Sequence, residues 1–147
     1  MGFNNDLKFG EFYQQELVKV MGMENYEMAK GNFKDYDIKE IITDNNKVRY
    51  WEVKADRRTY DTNNLCIEFE CNKKPSGITT STANYYAYFV IHPGNKIYDL
   101  YIIPTKRIRR EIEKETYKRI LNGGDGWKSK FYLFDINVFN KYLSIKN

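Results

Sequence analysis

DYDIKEIITDNNKVRYWEVKAD, residues 35–56, decides the fold. DYDIKEIIT alternates as a strand does, and VRYWEVKA alternates again after DNNK, whose asparagines tolerate positive φ. Two alternating runs about such a turn predict a β-hairpin. On the second strand Tyr50, Glu52 and Lys54 point one way, and Trp51, Val53 and Ala55 the other. Counting outward from the turn pairs Asp44 with Lys47 and Asp37 with Lys54. Side chains directly opposite lie ~5 Å apart in an antiparallel ladder. Asp37, Glu52 and Lys54 are therefore expected to converge. Asp35 shares the face of Asp37, so a two-residue shift of register would still leave an acid nearby. Trp51 and Val53 bury the other face, which predicts a central strand and partial cover over Glu52 and Lys54.

The flanking segments complete an α/β (α+β) fold, a central mixed β-sheet flanked by helices. LKFGEFYQQELVKVM (7–21) predicts a first helix. Its Phe9, Phe12, Tyr13, Leu17, Val20 and Met21 recur at helical spacing, and Gly22 stops it. NLCIEFE (64–70) predicts a third strand, with Leu65, Ile67 and Phe69 on one face. NKKPSGITTSTAN (72–84) is a polar loop. YYAYFVIH (85–92) is a buried strand, PGNK a tight turn and IYDLYIIP (97–104) its hairpin partner. TKRIRREIEKETYKRIL (105–121) predicts a second helix, capped by Thr105 and closed by NGG. KFYLFDI (130–136) predicts a last strand or extended piece, and NVFNKYLSI (137–145) a terminal helical turn or two. No repeat, low-complexity tract or linker divides residues 1–147, so a single domain is expected.

The chain has 147 residues, 41% hydrophobic and 16% aromatic, which excludes a disordered polymer. Its net charge of +4 permits a polyanionic partner. Tyrosine, with 13 residues, suits half-buried positions and base or sugar contacts alike. No apolar run reaches the length of a membrane span. MGFNNDLKFGEF has no signal-peptide core, and Asp6 stands where N-myristoylation requires Ser or Thr. Cys66 and Cys71 face opposite ways along a strand-like run, which disfavours a local disulfide, and two thiols cannot fill a zinc site. A cytoplasmic, intracellular setting is expected.

Two carboxylates held within a few ångströms repel unless a cation lies between them. A hard divalent cation such as Mg²⁺ takes oxygen ligands and keeps several waters. It polarises phosphoryl oxygens and lowers the pKa of bound water. A lysine beside it neutralises a pentavalent phosphate or positions the attacking water. Asp37, Glu52 and Lys54 supply those parts for phosphodiester hydrolysis, without a histidine; the sole histidine, His92, has no evident partner. The competing reading is an exposed Glu-x-Lys ion pair contributing ~0–1 kcal/mol in a chain that is 30% charged.

DYDI followed by YWEVKAD resembles the signature of the PD-(D/E)XK nuclease superfamily: an acid opening a strand, a hairpin, then acid–x–Lys. Asp37 matches the first acid, Glu52 the second and Lys54 the lysine. The preceding FGEFYQQELV is similar to the helix before the hairpin in archaeal-type Holliday junction resolvases and related phage and viral nucleases. The resemblance implies a restriction-endonuclease-like core of helix, three strands, helix, strand across most of residues 8–121. It implies Asp37 and Glu52 as ligands of Mg²⁺ or Mn²⁺, DNA as substrate, and the host cytoplasm if the source is a phage or virus. Junction cutting would require a homodimer. Tyr36 stands where the motif has proline. The first-helix acid that often completes the metal site has three candidates, Glu11, Gln14 and Glu16. A non-catalytic nucleic-acid-binding or protein-interaction module on the same fold is the alternative.

Further signals divide evenly or favour structure. Glu68 and Glu70 either extend the acidic cluster or face solvent. Lys73, Lys74 and the hydroxyls of residues 72–84 either grip a phosphate backbone or form an ordinary loop. Lys106, Arg107, Arg109, Arg110, Lys114, Lys118 and Arg119 could lie along DNA. The interleaved Glu111, Glu113 and Glu115 favour a solvated helix with internal ion pairs.

Overall fold

The computed structural model describes residues 3–30 and 35–146, with side chains from Lys8 onward. Helix α1 spans Phe3–Met21. Gly22 (φ +62°) ends it in the left-handed region. The Met23 N–H reaches the Val18 carbonyl at 3.0 Å and the Gly22 N–H the Lys19 carbonyl at 3.2 Å, so the last turn's carbonyls are satisfied. Strands β1 (Tyr26–Met28), β2 (Ile38–Ile41) and β3 (Val48–Asp56) follow as an antiparallel meander. A short helix α2 (Arg58–Thr62) leads to β4 (Asn64–Cys71), β5 (Lys74–Pro75) and a 3₁₀ turn at Gly77–Thr79. Then come β6 (Tyr85–Ile91), β7 (Ile97–Pro104), α3 (Thr105–Glu113), β8 (Arg119–Gly123), β9 (Ser129–Asp135) and β10 (Leu143–Lys146).

Among the described residues ten strands form two sheets. The first runs β1-β2-β3-β6-β7-β10 and is mixed, because β3 pairs parallel with β6; the second, β5-β4-β9-β8, is antiparallel. The α+β class and the mixed central sheet agree with the sequence reading. The second sheet was not foreseen: the expected third strand, β4, pairs with β9 rather than joining β3.

β3 and β6 lie at the centre of the first sheet, and each of its faces carries a core. On one face, Tyr13 and Leu17 of α1 pack on Ile38, Trp51, Phe89, Tyr98 and Leu100. On the other, Tyr86, Tyr88 and Ile103 meet Leu65 and Phe134 of the second sheet, with Ile108 of α3. Burying a side chain of this size contributes roughly 1.5–3 kcal/mol. β6 is buried along nearly its whole length because both of its faces are covered.

Two expected elements end differently. The helix expected over 105–121 stops at Glu113. Glu115 (φ +57°) takes the left-handed position that glycine usually fills. The Thr116 N–H reaches the Glu111 carbonyl at 3.1 Å and the Glu115 N–H the Ile112 carbonyl at 3.0 Å, closing the helix there. Ile120 and Leu121 consequently belong to β8, and NGG lies beyond the helix end. Thr105 does not cap α3 through its side chain; its hydroxyl is buried without a partner. The C-terminal helical turn is a 3₁₀ turn at Ile136–Val138 followed by strand β10 on β7. No described helix is long and apolar enough to cross a membrane.

Candidate functional site

The hairpin register sets the site. Ile38 stands opposite Trp51 and Ile41 opposite Val48, two residues away from the pairing counted from the turn. The loop is the reason. Ile42 N–H donates to the Lys47 carbonyl at 2.8 Å, so residues 43–46 all lie in the loop, with Asn46 at φ +56°. Asp37 therefore stands across from Glu52 instead of Lys54. A two-residue slip keeps the face, and Asp37, Glu52 and Lys54 remain together.

Asp37 is held at the end of the ladder. Its N–H donates to the Trp51 carbonyl at 2.8 Å, and its Oδ2 accepts from the Val53 N–H at 2.8 Å. The carboxylate thus satisfies a backbone donor of β3 where β2 has ended. Asp37 is 6% exposed. Glu52 lies beside it with a side chain 14% exposed, and its Oε1 is 3.3 Å from the ammonium of Lys54. The Lys54 side chain is 44% exposed overall, while its ammonium is partly desolvated against Glu52.

The electrostatics follow from this crowding. Burial pushes the Glu52 carboxyl up to about 7; Lys54 opposes the rise, and Asp37 adds to it through its charge and a shared hydrogen bond. At an effective dielectric near 20, unit charges 4 Å apart interact by about 4 kcal/mol. Attraction to Lys54 exceeds repulsion from Asp37, and desolvation, the largest cause, tips the balance toward the protonated acid. Desolvation works against the charge of Lys54, but Glu52 and Asp37 outweigh it and hold the ammonium above its ordinary range. Lys54 stays cationic.

Sequence reasoning did not identify Tyr86 as part of this site. In the parallel β3–β6 pairing Tyr86 stands beside Glu52 and Tyr88 beside Lys54. Tyr88 donates to Asp56 Oδ2 at 3.2 Å. The Tyr86 hydroxyl is buried without a hydrogen bond of full geometry, and Ser81 is its side-chain partner. Burial raises its pKa and Glu52 adds to the rise, whereas Lys54, Ser81 and Arg109 act the other way. The parallel β3–β6 pairing was the missing information: a tyrosine-rich buried strand gives no hint of which neighbour it lies beside.

The first-helix candidates do not join the site. α1 packs on the Trp51 face, opposite Glu52, and Glu16 accepts from the Tyr98 hydroxyl at 2.8 Å on that side. Glu11 is exposed and Gln14 partly buried on the same helix. Glu68 accepts from Ser76 Oγ at 3.1 Å, and Glu70 pairs with Lys130 at 3.4 Å. The loop hydroxyls are largely engaged within the fold. Thr79 donates to the Phe69 carbonyl at 2.8 Å, and Ser81 to that of Asp35 at 3.3 Å. Arg109 ties the same loop to α3, donating to the carbonyls of Ile78 (3.0 Å) and Ser81 (2.8 Å). His92 does have a partner: its Nε2 lies 3.0 Å from Asp99 Oδ2, across the β6–β7 hairpin. Both cysteines are free thiols.

An open groove of about 820 Å³ adjoins this region, lined by Lys47, Arg49, Lys106 and Arg109 with Asn84 and Thr82 among its polar members. No acid lines it. Arg109 connects groove and site, since its charge also reaches Tyr86.

The donor set suits a hard cation in kind: carboxylate oxygens from Asp37 and Glu52, with the Tyr86 hydroxyl nearby. Among the described residues no three of His, Cys, Asp and Glu come together as a metal-binding group. A small divalent ion that keeps most of its waters needs only one or two carboxylates. No family model matches the chain, and neither does any curated protein.

Proposed function

We propose that the chain is a metal-dependent DNA endonuclease of the PD-(D/E)XK type, hydrolysing phosphodiester bonds. The observation that carries this reading is the buried Asp37–Glu52 carboxyl pair beside Lys54 on a central strand. Burial and the charge of Asp37 hold Glu52 toward its protonated form, and a cation beside its carboxylate favours the charged form. The element order supports the reading. α1 precedes the β2–β3 hairpin and β6 lies parallel to β3, as that core has it, whereas β4, the expected third strand, joins the second sheet.

Asp37 and Glu52 would hold Mg²⁺ or Mn²⁺, which when bound polarises phosphoryl oxygens and acidifies coordinated water. Lys54 neutralises the charge that gathers on the phosphate as water attacks. Water forms the new P–O bond, and the bond to the departing sugar oxygen breaks. The groove cations, Lys47 and Lys106 foremost, would follow the DNA backbone. Branched or recombination intermediates are the substrates this resemblance favours.

The test is cleavage of plasmid, single-stranded and branched DNA with Mg²⁺, Mn²⁺ or EDTA. Cleavage is expected with either metal and not in EDTA. Activity that survives in the E52A/K54A double variant would overturn the proposal. One observation favours the non-catalytic alternative: Asp37 already has a structural duty to the Val53 N–H. That reading expects salt-sensitive DNA binding without metal-dependent turnover.

A further inference from the structure

The second sheet ends in a feature that the candidate site does not use. Glu70, Lys130 and Asn122 form one row across β4, β9 and β8. Beside that row lie the Asn72–Lys73 turn and the segment Asp125–Trp127, and together they enclose a pocket of about 460 Å³. Lys73, Lys128, Lys130 and Trp127 line it. Glu70 offsets Lys130 at 3.4 Å, which leaves the charge of Lys73 and Lys128 uncompensated within the pocket.

Trp127 is the unusual member. It is 75% exposed, the most exposed of the large hydrophobic side chains among the described residues. Its φ is +58°, in the left-handed region. A bulky residue held there costs roughly 1–3 kcal/mol. The positive φ of Asn72 (+53°) and Lys73 (+64°) has an ordinary explanation, a tight two-residue turn joining β4 to β5. Trp127 likewise lies in a hairpin loop, residues 124–128 between antiparallel β8 and β9, directly after Gly126 (φ +66°). What sets it apart is its exposure: the loop presents a flat aromatic face between cations.

We propose that this pocket binds single-stranded nucleic acid, one base stacking on the Trp127 indole and the adjoining phosphates meeting Lys73 and Lys128. An aromatic platform bordered by positive charge suits a strand whose bases are unpaired. A duplex hides its base faces and would gain only the charge term. The pocket volume lies within the ~300–1,000 Å³ range typical of small-molecule sites. The inference does not depend on cleavage: it involves none of Asp37, Glu52 or Lys54.

The chain's own fluorescence reads it. Of the two tryptophans, Trp51 is 1% exposed, so added ligand quenches chiefly Trp127. Titration with a dT12 oligonucleotide in EDTA is expected to quench the emission. W127A should weaken binding about tenfold by anisotropy of labelled dT12, and W127F, which keeps a stacking ring, should hold it within about threefold. K73E/K128E should weaken binding and make its logarithmic salt slope shallower by roughly one to two. W127G relieves the backbone, so a melting temperature at or above that of wild type shows that weakened binding is not unfolding. Equal dT12 affinity in wild type, W127A and K73E/K128E would overturn the proposal, as would binding without quenching. Repeating the titration in E52Q separates this outcome from the fate of the nuclease reading.

Discussion

Trp51 and Glu52 are neighbours in sequence, and the sheet sends them to opposite sides. Trp51 enters an apolar layer under α1, where its indole N–H still finds Glu40 Oε1 at 3.0 Å. Glu52 enters a layer shared with the second sheet and α3, where it meets another carboxyl, a lysine and a tyrosine with a poorly satisfied hydroxyl. The first face is satisfied as it stands. The second holds groups whose costs are not fully offset within the protein. Natural sequences break local rules of this kind mainly at functional sites. The comparison also shows that a strand's alternation assigns faces without saying what each face is for.

The comparison is tested most strongly by the reaction. K54A, which leaves the Asp37–Glu52 pair without its cation, is expected to lower metal-dependent cleavage by at least about 100-fold. W51A on the opposite face should leave the chemistry of any remaining folded protein nearly unchanged while costing about 3–5 kcal/mol of stability. Single-turnover cleavage and chemical denaturation of both variants read the two effects. If W51A and K54A lose activity in proportion to stability alone, the two faces do not differ in kind.

Next in size is a pH-dependent gain of stability in E52Q. The folded-state pKa of Glu52 is about 7, above the ordinary value of 4.5. Raised in the folded state, this carboxyl adds no penalty below pH 4.5. Stability falls as pH rises between 4.5 and 7, and the full cost remains above that. The gap of 2.5 corresponds to about 3 kcal/mol as an upper bound. E52Q should therefore be more stable than wild type by on the order of 2 kcal/mol at pH 8 and no more stable below pH 4.5. Lys54 loses its carboxylate partner in this variant, which takes back part of the gain. Urea titrations at several pH values measure the difference. At pH 8, millimolar Mn²⁺ should raise the melting temperature of wild type and leave E52Q nearly unmoved.

Much of this was legible in the sequence, and the failures have physical causes. Alternation in residues 48–56 placed Trp51 and Glu52 on opposite faces regardless of register. The loop at residues 43–46 defeated the count of register, because its length is set by backbone bonds rather than by the turn-prone composition of DNNK. Asp37 reached Glu52 anyway, since the error was an even number of residues. The end of α3 was invisible because Glu115 occupies the left-handed position without glycine to announce it. β4 read correctly as a strand, but no local signal says which sheet a strand will join. Tyr86 went unidentified and the α1 candidates stayed open for the same reason: both depend on which layer packs where, a property of the whole chain.

The smallest effect is the most discriminating. Tyr86 stands beside Glu52 with a buried hydroxyl that has only Ser81 as a side-chain partner and no hydrogen bond of full geometry. A poorly satisfied buried hydroxyl costs free energy, so Y86F should match or exceed wild type in stability, by up to about 1 kcal/mol. If the hydroxyl serves the site, the same variant should lose about tenfold in cleavage rate despite its better fold. A structural role alone moves both quantities in one direction. Stability and single-turnover rate, measured on Y86F and on Y88F as its neighbour along β6, separate the two. A gain in stability together with an unchanged rate would place Tyr86 outside the chemistry and leave that face with Asp37, Glu52 and Lys54 alone.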